Sequence, residues 1–167
     1  VEPGDTVEPG DTLDPGDTLD PADGQGPVDP LKIKGIWYDS TGTVFDFGQS
    51  ALNITNLNGS INSFVVTQLN NEGDPDKGIS GWMHVEGEWS EGPDMMTIYG
   101  VIPWVGPLDE VMGDGSPVKT AWICGASFGI EPVLWDEVSE LLDGSNPGFS
   151  GCGEEPWQLI ASTVDYA

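Results

Sequence analysis

The chain has 167 residues, with 29 acidic side chains against four lysines and no arginine, for a formal charge of −25 at pH 7. Arginine is the planar fork that grips phosphate and carboxylate. Its absence from so negative a chain excludes nucleic acid, nucleotides and anionic membrane surfaces as partners.

Residues 1–24 are one acidic hexapeptide written four times, VEPGDT twice, then LDPGDT, then a decayed LDPADG. One apolar residue per unit cannot offset the entropy of ordering the segment, so it reads as a stalk rather than part of a core. Six residues make two turns of a polyproline II helix. That geometry aligns Asp5, Asp11 and Asp17 on one edge and Thr6, Thr12 and Thr18 on another. Alternatively each Glu/Asp-Pro-Gly-Asp is a type II turn. Threonines recurring beside prolines also suit O-glycosylation at Thr6, Thr12 and Thr18. Residues 25–30 form a hinge, and residues 31–167 are a single head, long enough for one core. The head carries 20 of the acids and all four lysines, a net charge of −16.

In the head, strand patterns follow one another closely: residues 31–38 (LKIKGIWY), 43–47 (TVFDF), 51–57, 60–69, 79–89, 95–101 and 119–128. Asn58-Gly59 is a strong hairpin signal. A type I′ turn there places Ile54 opposite Ser63 and Leu52 opposite Val65. Residues 131–142 (EPVLWDEVSELL) predict one helix, with Pro132 at its start and Leu134, Trp135, Val138, Leu141 and Leu142 on one face. Residues 157–164 form a last strand that closes a sheet or barrel, or offers its edge to a neighbour. With 24 glycines and 14 prolines, the pattern predicts an all-β head, an antiparallel sandwich or barrel with one short helix.

Cys124 and Cys152 are the only cysteines. In an exported protein they predict one disulfide between the 119–128 strand and the glycine-rich segment 146–153, worth roughly 3 kcal/mol through loop entropy. The stalk, the charge and this bridge together predict a secreted or cell-surface protein, with a lipoprotein anchor upstream as one means of attachment.

Nucleophilic hydrolysis needs a base beside its nucleophile. The only histidine, His84, has no nucleophile motif for company. On a strand, Trp82, His84, Glu86 and Glu88 share one face, read as polar and solvated, while Met83, Val85 and Trp89 share the other. Glu86, Glu88 and Glu91, between Trp82 and Trp89, are where paired carboxylates for glycoside hydrolysis would lie. Glu72, Asp74 and Asp76 place oxygen ligands in one turn, as calcium prefers, so Ca2+ is the candidate cofactor. Of seven tryptophans most must be core. Trp104 lies between Pro103 and Pro107, which predicts a loop indole serving as a staple over a barrel mouth or as a stacking platform for a ligand, with Trp82 and Trp89 as further ligand contacts.

The segment Lys34-Gly35-Ile36-Trp37-Tyr38 resembles the opening of lipocalin-like barrels. That resemblance implies an eight-stranded cup with Trp37 plugging its closed end and a small apolar molecule inside. The arginine that packs on this Trp in the family has no counterpart here. Three function classes follow: a non-catalytic extracellular surface or structural protein that self-associates through its head or its repeat; a stalk-displayed binding module for a small ligand or a glycan; and a secreted glycan hydrolase.

Overall fold

The computed structural model describes residues 31–91, 93–125, 127–163 and 166, and gives the backbone alone at 89–91 and 127. The repeat and hinge, with Thr6, Thr12 and Thr18, lie outside the described residues. Among the described residues nine strands are formed: β1 Gly35–Asp39, β2 Val44–Phe47, β3 Ala51–Thr55, β4 Ile61–Asn70, β5 Gly81–Glu91, β6 Asp94–Val111, β7 Pro117–Ile123, β8 Ser127–Gly129 and β9 Gln158–Ala161. One short α-helix among them, α1, spans Trp135–Ser139. The strands pair antiparallel in the order β5-β4-β3-β2-β1-β9-β7-β6-β8, and β6 also pairs with β5. Eight strands therefore close into a barrel, with β8 continuing the line of β7 along β6.

Alternation along each strand decides what faces inward. Trp37, Phe45, Phe47, Leu52, Met83, Val85, Ile102, Trp104, Ala121, Ile123 and Ile160 form one buried cluster inside the barrel, and Leu31 and Ile33 join it from before β1. Trp37 donates its indole N–H to the Ile33 carbonyl at 2.8 Å, fixing that segment against the barrel. Gly100 is needed where it stands. A Cβ there would meet the Phe128 ring at 2.4 Å. Phe128 in turn packs on Phe64, ring centroids 5.6 Å apart.

A second buried cluster lies on the outside of the wall. Ile79, Trp82 and Val101 pack there with Cys124, Val138, Leu142, Cys152 and Trp157. The Cys124–Cys152 disulfide, with Cα atoms 5.5 Å apart, ties the end of β7 to the segment after α1, as the sequence predicts. Trp157 donates its N–H to the Asp143 carbonyl at 3.0 Å within the same layer.

Three sequence expectations are corrected. The Asn58-Gly59 hairpin exists, but its register is Ile54↔Asn62 and Leu52↔Phe64. Only Gly59 has positive φ, so the turn is a three-residue loop and not the two-residue type I′ form. Asn58 Oδ1 accepts from both the backbone N–H and the hydroxyl of Ser60, which holds this longer turn. The shift by one residue turns Phe64 inward and leaves Val65 57% exposed. The same five-residue backbone shape recurs at residues 39–43 and 112–116, each with a positive-φ glycine fourth.

The second correction concerns β6, which runs through Pro103 and Pro107 to Val111 instead of stopping at Val101. Both prolines sit where a missing N–H costs little. Pro103 lies at the break between β7 and β8, and Pro107 lies in the bulge between Val105 and Leu108. The third concerns the helix, which is one turn and a half instead of three. Leu134 has extended dihedrals and supplies no capping side chain, so the helix starts late. Leu134 and Leu141 are consequently exposed.

The barrel closes at a narrow seam. β1 and β9 share only two residue pairs, Tyr38↔Ala161 and Asp39↔Ile160. The Asp39 carboxylate, 5% exposed, reinforces them. One oxygen accepts from the Thr41 N–H, the Thr41 hydroxyl and the Thr43 N–H, at 2.7–2.9 Å, and the other from Gln158 Nε2 of β9 at 2.7 Å. Burial opposes its ionisation, but the bonds from Thr41 and Thr43 outweigh this and hold the carboxyl below the usual aspartate range.

Two predictions follow from these observations. Replacing both Cys124 and Cys152 by Ser should remove roughly 3 kcal/mol and lower Tm by several degrees, read by calorimetry. Asp39→Ala should cost roughly 1–3 kcal/mol at neutral pH by leaving part-buried donors without their charged acceptor. Because the folded-state pKa is depressed, this contribution is full above the unfolded aspartate value and is lost as pH falls through the folded one. The difference between wild type and variant in denaturant titrations should therefore hold down to about pH 4, the unfolded aspartate value, and shrink as pH falls further.

Candidate functional site

The outward face of β5 carries Trp82, His84, Glu86 and Glu88, as alternation requires, with Met83 and Val85 turned into the barrel. Pairing extends this face sideways. Glu86 lies between Val65 of β4 and Tyr99 of β6, and Glu88 lies beside Thr97. A bulge between Val66 and Gln68 shifts the register so that Gln68, not Thr67, stands opposite His84. Bulges re-aim side chains in this way. Thr67, the extra residue, turns its hydroxyl to the His84 carbonyl at 3.3 Å.

The face is not uniformly polar, which corrects the sequence reading. At one end Trp82 is buried, because α1 lays Trp135 over it. The two indoles are parallel within 2°, with ring centroids 3.9 Å apart. Gln68, Trp82, His84, Leu134, Trp135 and Asp136 line a groove of about 310 Å3 there. Further along the same wall, Ile61, Ser63 and Val65 of β4 face Glu86, Glu88 and Thr97 across a groove of about 440 Å3. Here the β4–β5 ladder stops at Phe64↔Gly87, so the tip of the β5–β6 hairpin runs on past β4.

His84 is half-buried between Gln68 and Val101, and this desolvation pushes its pKa below the ordinary histidine value. A neutral imidazole offers one donor and one acceptor. Trp82 contributes an indole N–H that is buried with no hydrogen-bond partner among the described residues.

The remaining sequence candidates fall elsewhere. Trp104 is inside the barrel on β6 with 0% exposure, neither in a loop nor on the surface, and its N–H too is buried without a described partner. It was misread because Pro103 and Pro107 signal a loop, whereas both sit at interruptions of the ladder. Trp89 and Glu91 lie on β5, and their side chains are outside the described residues. Glu72, Asp74 and Asp76 lie around a short 3-10 turn, Pro75–Lys77. Among the described residues no three acidic, cysteine or histidine groups come together as metal ligands. Trp135 and Gln68 are the residues that sequence reasoning missed as site members. Helical periodicity puts Trp135 on one apolar face with Leu134 and Val138 and gives no sign of Trp82, and Gln68 reaches His84 only through the bulge.

Comparison with known protein families, characterised proteins and solved structures finds no match to this chain.

The lowered pKa of His84 sets a pH dependence. A histidine harder to protonate when folded contributes stability above its unfolded value, near 6.5, that is lost as pH falls through the folded one. In thermal melts between pH 7.5 and 5, His84→Gln should flatten the acid-side fall in Tm seen in the wild type. Parallel curves would show that His84 is not the group responsible.

Proposed function

We propose that this chain is a non-catalytic extracellular protein whose head works through the outside of its barrel, with the repeat as spacer or inter-subunit arm. The observation that carries this reading is how the inward positions are used. An eight-stranded barrel is either filled by side chains or holds one small ligand, and here the inward Leu52, Met83, Ile102, Trp104, Ala121 and Ile123 pack into one buried cluster. The eight-stranded antiparallel barrel itself agrees with the lipocalin-like opening around Trp37, but a cup for an apolar ligand would need the volume these side chains take. The disulfide is consistent with an oxidising, exported setting. Outside the barrel, Ile61, Val65, Leu108, Val111 and Phe149 are exposed, apolar surface that a neighbouring molecule could cover.

Self-association has two obstacles. The head's charge of −16 makes copies repel unless salt or divalent cations screen them. The last strand, β9, is paired along its whole length by β7 and at Ile160 and Ala161 by β1, so exchanging it would open the barrel. A second reading, a stalk-displayed binding module, is favoured by the groove beside the stacked Trp82 and Trp135. Glycan hydrolysis is the least supported of the three. Glu86 and Glu88 project side by side from one face of one strand, whereas glycosidase carboxylates flank the scissile bond from opposite sides.

Sedimentation velocity of the full chain across ionic strength and calcium, with reducing-end analysis after incubation with polysaccharides, tests this. The expected result is salt- or calcium-dependent multimers and no released ends. A monomer under every condition would leave the displayed binder as the function. Turnover abolished by Glu86→Gln or Glu88→Gln would overturn both non-catalytic readings.

A further inference from the structure

We infer that the groove formed by Trp135, Trp82, His84, Gln68 and Asp136 is a binding site for a neutral saccharide, with the Trp135 indole as the stacking platform. This rests on the displayed-binder reading and names its site and ligand class.

Trp135 is only half-buried, and one of its faces is already covered by Trp82 at 3.9 Å. Its remaining accessible surface lines the groove, held in place by a partner that is itself buried. A flat apolar surface of this kind matches the C–H face of a sugar ring and costs little entropy to use, because the stack pre-orders it. Around it, the polar groups suit hydroxyls, each of which both donates and accepts. The Gln68 amide does both, the half-buried imidazole of His84 does both while neutral, and the Asp136 carboxylate accepts.

The volume, about 310 Å3, is at the lower end for small-ligand sites, fitting one or two rings of a chain that continues along the wall. That wall leads past His84 to Glu86 and Glu88. With no arginine in the chain and Asp136 in the groove, a sulfated or uronic saccharide would be repelled. A quaternary ammonium ligand is the competing chemistry, because cations also favour an indole face near a carboxylate. Recognition of such ligands uses an aromatic cage, whereas this groove offers a single indole platform.

The test uses the full chain and four neutral probes, cellohexaose, laminarihexaose, mannohexaose and chitohexaose, with choline as the cationic probe. Binding is read by calorimetry and by shifts of indole N–H resonances. The expected result is saturable binding of at least one hexaose, weakened ~tenfold or more by Trp135→Ala and several-fold by Gln68→Ala, and unchanged by Asp109→Asn on the far side of β6. Because Trp135→Ala also removes packing from Trp82, Gln68→Ala and Asp136→Ala serve as variants that leave the stack intact. If a hexaose binds and none of the three groove variants weakens it, the displayed-binder reading stands and this site is wrong. If no hexaose binds, or choline binds in a manner lost in Trp135→Ala while no hexaose does, the assignment of a saccharide is wrong.

Discussion

The fold depends on closing a barrel through a seam of two residue pairs between its first and last strands. So few ladder bonds could not hold a hollow cylinder shut. Two other interactions hold it. The Asp39 carboxylate bridges the β1–β2 turn to Gln158 of β9, and the inward side chains on either side of the seam, Trp37 and Ile160, belong to one continuous core. A charged latch with every bond made costs little to bury, whereas the same carboxylate without partners would open the seam. Closure and packing of the interior are thus linked, since the core cluster spans the seam.

Under the proposed function the barrel meets other molecules with its outer wall and its ends, its inward positions being taken up by packing. The wall has two characters. Over β5–β6–β7 it is covered by α1 and residues 140–157, held down by the Cys124–Cys152 bridge and by Lys77, whose ammonium donates to the Ser139 carbonyl. Over β4–β5 Ile61 and Val65 are exposed among the described residues, beside Glu86 and Glu88. The groove with the tryptophan stack marks the border between them, where the covering layer ends at the half-buried Trp135.

Much of this was legible in the sequence because it depends on local rules. Alternation placed Met83 and Val85 inside and His84 and Glu86 outside, and the cysteine pair followed from context. The Asn58-Gly59 turn was found at the right place but with the wrong length, since a two-residue and a three-residue loop share that dipeptide and only the Asn58-to-Ser60 bonds distinguish them. What failed was long-range. Nothing local says that β7 departs from β6 near Pro103, and so nothing local says that this proline is tolerated or that Trp104 is core. Likewise, the meeting of Trp82 with Trp135, 53 positions apart, requires the bridge and the second core to bring α1 onto the wall.

The central claim is that the barrel is filled and acts by its exterior. It is tested most directly by titrating the protein with Nile red, a neutral apolar dye, while following the methyl resonances of Leu52, Val85 and Ile123. A neutral dye is required because the head's charge of −16 would repel an anionic one. The account expects no saturable one-to-one binding and no shift at these inward methyls. One-to-one binding accompanied by shifts at all three would show that the interior admits a ligand, and would contradict it.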